Sequence, residues 1–248
     1  MDNQSRLARW GLRLAIAALV LLTLSILVLR FDLLAFRLPV LAIAAAGILG
    51  LVGLLVSLGG LIVTLSGKKS GISTALIGLV VAIVAATPFV WTIVTGGGVP
   101  PIHDISTDIA NPPQFVAVLP LRSDTANPLD RTKPENLAEL QSKAYPQLTP
   151  TRFDAQPGQV FDAARDVVRD MGWELVAATP ETGLIEATAT TRLLNFKDDV
   201  AIRVTEDEGG GTIVDLRSVS RVGQSDLGAN AKRIEAFIAA LKIKLSAS

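Results

Sequence analysis

The chain has 248 residues, half of them hydrophobic, with 23 basic side chains balanced by 23 acidic ones, one histidine and no cysteine. Lack of cysteine excludes disulfides, thiolate metal sites and a cysteine nucleophile, and a single histidine argues against a zinc centre. The zero net charge is a split: residues 1–95 carry 7 Lys/Arg against 2 Asp/Glu and the remainder 16 against 21, so a basic, apolar third precedes a mildly acidic part without the basic footprint of nucleic-acid binding.

Residues 11–29, 38–66 and 71–95 are three apolar runs, with only Arg13, Arg30, Asp32 and Arg37 charged before the Lys68-Lys69 pair. A spanning helix needs roughly 20 apolar residues to match a hydrocarbon core about 30 Å thick. Lipid supplies no water to the backbone, so each run must close its own hydrogen bonds as a helix. The second run is the longest and must tilt or extend past the core. A basic region leading into an apolar one also opens a signal peptide, but no small-x-small cleavage site precedes Arg30, and further spans follow. A retained anchor is the expectation.

Orientation follows the Lys/Arg bias of the short flanks. Arg6, Arg9, Arg13, Lys68 and Lys69 lie on one side, and Arg30 and Arg37 on the other. That places the N-terminus in the cytoplasm of a bacterial cell and, after three crossings of the inner membrane, everything beyond residue 95 in the periplasm. Small residues recur along the second run at Ala42, Ala46, Gly50, Gly53, Ser57, Gly60 and Thr64. They predict close packing against the other two spans, with a homodimer seam as the alternative.

Residues 96–150 form a Gly/Pro-rich linker and extended segment. Gly96-Gly97-Gly98 abandons the helix, and nine of the 13 prolines fall between positions 100 and 150. A short helix is expected near residues 135–143, and the patch Phe115-Val116-Ala117-Val118-Leu119 suggests docking on the domain that follows.

From residue 151 the pattern is that of an α+β domain reaching residue 248. Pro157 opens a helix with Val160, Phe161, Ala164, Val167, Val168 and Met171 at helical spacing, closed by Gly172. Strands follow at 173–179, 184–192, 200–206 and 212–220, with a fifth candidate near 148–153 and turns at Pro180-Glu181-Thr182-Gly183 and Gly209-Gly210-Gly211. A last helix runs from about Leu227 to Leu245, with Asp226 as its N-cap. Tight turns imply an antiparallel sheet of four or five strands, with the two helices on one face. Strand alternation then leaves an open polar face bearing Glu186, Arg192, Arg203 and Asp215, beside Arg217 and Arg221.

Two segments carry a family resemblance. Ile102-His103-Asp104-Ile105-Ser106-Thr107-Asp108 with Asn111-Pro112-Pro113-Gln114-Phe115, and the run from Val214 through Arg217, Arg221 and Ser225-Asp226 to Ile234, resemble the opening and closing signatures of the family called domain of unknown function 1499. Tyr145-Pro146 and Gly172-Trp173 fit the same pattern. The resemblance covers residues 100 to about 245 and implies a domain often carried behind membrane spans. It implies no reaction.

Candidate sites follow from the residues. Arg217, Arg221, Ser225, Asp226, Asn230 and Arg233 gather where the last helix begins, an end whose free N–H groups bind anions or a partner unless Asp226 already fills it. A catalytic reading would use His103 as base near Asp104 or Asp108, with Ser218, Ser220 or Ser225 as nucleophile. Carboxylate pairs, Asp198-Asp199 and Asp207-Glu208, flank turns and read as solvated. No G-x-S-x-G occurs, and no cofactor or metal is expected. The leading expectation is an integral membrane protein presenting a non-catalytic periplasmic domain that binds an envelope protein or an anionic lipid headgroup, with the bilayer as its first partner. The alternative is a membrane-anchored hydrolase using His103 or a carboxylate pair. Oligomeric state has no signature in the chain.

Overall fold

A computed structural model describes residues 3–246. Two compact units divide the chain, one comprising the residues up to Gly98 with Arg192–Asn195, the other Val99–Thr191 with the residues from Phe196 onward.

The first unit is three helices: α1 (Arg6–Arg30), α2 (Arg37–Leu65) and α3 (Ile72–Gly96). Each is long and apolar enough to cross a membrane. Its packing inverts that of a water-soluble bundle. The buried positions are small, among them Ala8, Gly11, Ala15, Ala18, Ala46, Gly53, Gly60, Ala75 and Ala82, while Leu55, Ile62, Trp91 and Val94 face outward. Lipid removes the hydrophobic drive between helices, so close backbone approach and van der Waals contact must hold them. A Cβ added at Gly60 would lie 2.5 Å from the Ala8 backbone nitrogen, and one at Gly50 3.0 Å from that of Ala86. The small-residue stripe of α2 therefore packs within the chain, against α1 and α3. At one end of the bundle the Ser5 N–H donates to Ser70 O (2.9 Å) and the Ser70 N–H to Asn3 O (3.1 Å). Arg6 and Arg9 thus share an end with Lys68 and Lys69, as an up-down-up arrangement of three helices requires.

The second unit is α+β. In chain order it contains β1 (Asp104–Ser106), a 3₁₀ turn (Leu119–Leu121), α4 (Leu137–Ala144), β2 (Thr151–Phe153), α5 (Pro157–Asp170), β3 (Glu174–Thr179), β4 (Leu184–Thr190), β5 (Lys197–Glu206), β6 (Thr212–Ser220) and α6 (Ala229–Ser246). The six strands form one antiparallel sheet ordered β1-β6-β5-β4-β3, with β2 also pairing β6. Four strands and the candidate near residue 150 match the sequence pattern; β1 is the addition, contributed by the proline-rich segment. Tight chain reversal fixes the turn chemistry. Gly183 takes φ 65°, and a Cβ there would sit 2.0 Å from Val204 O.

One sheet face carries the main core. Ile185, Ala187, Val200, Ile202, Val204, Val214 and Leu216 meet Val160, Phe161, Ala164, Val167 and Val168 of α5 and Ala231, Ile234, Phe237 and Leu241 of α6. Phe237 stacks on Trp173 with ring centres 5.6 Å apart. Each helix thus places one apolar stripe on the sheet, as its 3.6-residue period requires.

The opposite face departs from expectation. It is not open, because the segment between β1 and α4 crosses it. Phe115 and Val118 pack on Ala201 and Val219 in a second apolar cluster. Glu186 and Asp215 are buried and Arg203 is partly buried, while Arg192 lies beyond the end of β4 in a hairpin tip. The strand pattern gives a face's polarity but cannot say that an irregular segment will supply the complementary groups.

Candidate functional site

The covered face holds a sealed network of carboxylates and guanidinium groups, built from β4, β5 and β6 on one side and residues 104–131 on the other. Burial of an unpaired charge is prohibitive, so every charge there needs a partner. The carboxylate of Glu186, on β4, accepts from three consecutive amides, those of Val116 (3.0 Å), Ala117 (2.8 Å) and Val118 (3.1 Å). This is a small anion nest with its anion supplied by the protein itself.

Arg217, on β6, is 1 % exposed. Its Nη2 donates to Asp104 Oδ2 (2.7 Å) and Leu129 O (2.6 Å), its Nε to Asp104 Oδ1 (3.2 Å) and its Nη1 to Pro113 O (3.3 Å). The guanidinium carbon lies 5.1 Å from the Phe115 ring centre. Asp104 also accepts from Arg131, which reaches Gln141 Oε1 (3.3 Å), and Gln141 exchanges hydrogen bonds with the Ser106 backbone. Asp104 thus holds β1, β6 and the loop before α4 together.

Asp199, on β5, is fully buried. It accepts from Arg221 Nη2 (2.8 Å) and Nε (3.0 Å), from Thr188 Oγ1 (2.9 Å) and from Arg122. Arg122 also reaches Asn127 O, and the Asn127 amide donates to Ser220 O (2.9 Å) and Gly223 O (2.7 Å). Arg203 bridges Asp215 (2.8 Å) and Asp108 (2.9 Å), and Thr107 Oγ1 donates to Asp215 (3.2 Å). Burial lowers the pKa of the Arg122 and Arg131 guanidinium groups from the ordinary arginine value, opposed by Asp199 and Asp104 respectively.

On the helix-covered face, Asp198 pairs with Arg233 Nη2 (2.5 Å), and Arg233 also donates to Ser218 Oγ (3.0 Å) and to Asn230. Asn230, fully buried, accepts from Ser218 Oγ (2.7 Å) and donates to His103 O (2.9 Å) and Ser220 Oγ (3.0 Å). Asp226 fills the start of α6, accepting from the amides of Gly228 (2.8 Å) and Asn230 (2.9 Å). Burial pushes its carboxyl above the usual aspartate range, against the pull of those two amides. Ser225 Oγ accepts from the Leu227 amide (3.3 Å).

The six residues expected to bind an anion or partner do gather near that end, but their polar groups already face protein groups. Arg217 is held by Asp104, Arg221 by Asp199, Arg233 by Asp198, and Asp226 by the α6 amides. The Asp198-Asp199 pair also differs from expectation. Both lie inside β5, on opposite faces, buried with separate guanidinium partners rather than solvated at a turn. Asp207 pairs with Arg152 (2.6 Å) at the β5–β6 turn, where Glu208 is exposed.

His103 sits just before β1. Its ring Nδ1 lies 3.4 Å from Gln224 O, the one hydrogen-bond contact of that ring among the described residues. Ser218 and Ser220 bond Asn230, and Ser225 Oγ accepts from the Leu227 amide, so among the described residues no serine is hydrogen-bonded to the His103 ring. What sequence reasoning missed was the role of Arg122 and Arg131. Two arginines within a proline-rich stretch, in a chain whose sheet carries carboxylates at positions 186, 199 and 215, were the available signal.

The family described as protein of unknown function (DUF1499) matches over residues 104–241, more than half of the chain. That span opens at Asp104 and takes in both faces of the sheet with their ion pairs. No curated protein matches the chain.

Proposed function

The chain belongs to the DUF1499 family of proteins of unknown function, and we propose that it is an integral membrane protein whose three spans hold the α+β domain on the periplasmic face of a bacterial inner membrane, where the domain binds an envelope component without catalysis. The observation that carries this reading is the inverted packing of α1–α3, with small residues inside and leucine, isoleucine and valine outside. Only a lipid solvent makes that outer surface stable. The basic flanks at the Ser5–Ser70 end support a cytoplasmic N-terminus.

A binding role without chemistry is supported by the commitment of the domain's polar groups. A general base must stand within about 3 Å of the proton it removes. The His103 ring meets a backbone carbonyl, and the buried carboxylates meet arginines and amides. Arg217, Arg221 and Arg233 act as internal locks in this reading, so partner contacts fall on the exposed surface around them.

The exposed β3–β4 turn offers a test. In spheroplasts, a membrane-impermeant maleimide is expected to modify Glu181→Cys, and a photo-crosslinker carried on that cysteine should capture an envelope protein or lipid. Modification only after lysis would overturn the location. Adducts no greater than those of a cytoplasmic-side cysteine would overturn the binding role.

A further inference from the structure

We propose that the tip of the β4–β5 hairpin is a lipid-contacting device: Leu193, Leu194 and Phe196 enter the interfacial layer of the bilayer, with Arg192 and Lys197 set to meet anionic phospholipid headgroups. The proposal rests on the reading that α1–α3 cross that bilayer, and it adds a second, reversible attachment to the covalent one.

The tip reads Arg192-Leu193-Leu194-Asn195-Phe196-Lys197, three large apolar residues between two basic ones, with no acidic residue. Hairpin turns ordinarily use Gly, Asn, Asp and Pro. The other two hairpin turns of this sheet do so, with Pro180-Glu181-Thr182-Gly183 between β3 and β4 and Asp207-Glu208-Gly209-Gly210-Gly211 between β5 and β6. Those polar turns lie at the opposite end of the sheet. The contrast within one sheet therefore concerns position, not turn-building in general. Leu193 is 62 % exposed. The loop is closed at its base by the Thr191 amide donating to Phe196 O (2.8 Å) and the Phe196 amide donating to Thr191 Oγ1 (2.9 Å), so Leu193 projects from a fixed neck beside the half-buried Leu194 and Phe196.

Sheet register says which way the tip points. Asp104 pairs with Val219, Val219 with Asp199, and Asp199 with Thr188. The start of β1, where the chain arrives from the membrane, is thus level with the last residues before the tip. α3 ends at Gly96, and Ile102 is already fully buried in the domain core. Six residues extend at most about 20 Å. The tip and the chain's entry into the domain thus lie at the same end of the sheet, opposite the two polar turns. Apolar residues flanked by basic ones suit an interface where acyl chains lie beneath anionic headgroups.

The chain lacks cysteine, so a single nitroxide can be placed at will. The full chain carrying Leu193→Cys, Glu181→Cys or Leu55→Cys would be reconstituted in phosphatidylcholine vesicles containing phosphatidylglycerol, and collision rates measured with oxygen and with an aqueous nickel chelate. Leu55 faces outward from α2 and reports the spans; Glu181 reports the far end of the sheet. The expected result is nickel collision several-fold lower at 193 than at 181, approaching that at 55, with oxygen collision raised. A water-exposed label at 193 with a lipid-shielded one at 55 overturns this inference and leaves the spans standing. A water-exposed label at 55 overturns both. Shielding at 193 accompanied by spin–spin broadening that vanishes on dilution with unlabelled chain would assign the tip to a second copy and also overturn the proposal.

Discussion

Asp104 accepts hydrogen bonds from two guanidinium groups, those of Arg217 and Arg131, in a site closed to solvent. Removing one partner of a buried pair leaves an uncompensated charge, which costs about 3–5 kcal/mol. Arg217→Met is therefore expected to destabilise the domain by about that amount, whereas Arg169→Met, which breaks an exposed pair with Asp166, should cost less than about 1 kcal/mol. Denaturant unfolding read through Trp173, with Trp10 and Trp91 replaced by Phe, measures both. Asp226 gives a pH dependence of definite sign. Its folded pKa is raised by burial, so the folded state holds its proton more tightly than the unfolded chain does. Its contribution to stability therefore falls as pH rises from the ordinary aspartate range through the raised value. Asp226→Asn cannot titrate but surrenders one of two amide acceptors, a loss of about 1 kcal/mol. The stability gap between wild type and variant should narrow as pH rises through that window. A gap that widens there would contradict the assignment.

At the scale of elements, the segment between β1 and α4 behaves as a structural layer despite having little regular structure. Its proline content removes it from helix and central strand, and Glu186 supplies acceptors for amides that no ladder satisfies. Glu186→Gln should weaken those charge-assisted bonds and speed hydrogen exchange at Val116, Ala117 and Val118 by roughly 10–100-fold, measured by mass spectrometry on the full chain. In the bundle, Gly60→Leu should separate α1 from α2 and lower thermal stability in detergent. Gly59→Leu should not, since a Cβ there meets only Leu7 Cδ1 at 3.7 Å. The regular elements were legible because each has a period: apolar runs of spanning length, the α5 and α6 stripes, and alternation in the strands. β5 was read too short because Asp198 and Asp199 look like turn residues until Arg233, Arg122 and Arg221 are placed beside them. The patch Phe115–Leu119 announced that its segment docks on the domain, as Phe115 and Val118 do, but β1 and the face to be covered were not legible. They depend on pairing across more than 100 residues, as between Asp104 and Arg217, and no local pattern announces that. The candidate cluster at the start of α6 was found by its residue types, but whether an arginine is free or already paired is a tertiary fact.

For the whole molecule, the two units follow opposite packing rules. Residues 6–96 expose large apolar side chains and bury small ones; the domain buries large apolar side chains in one core and closes its second face with ion pairs. In the proposed reading, three spans with basic residues at their Ser5–Ser70 end put the domain on the far side of the membrane. Alkaline phosphatase, which folds only in an oxidising compartment, fused after Ser248 and expressed in a bacterial host, tests this most directly. The account predicts an active periplasmic enzyme, with a cytoplasm-dependent fluorescent protein at the same position remaining dark. An inactive phosphatase paired with a bright fluorescent fusion would put the domain in the cytoplasm and contradict the account.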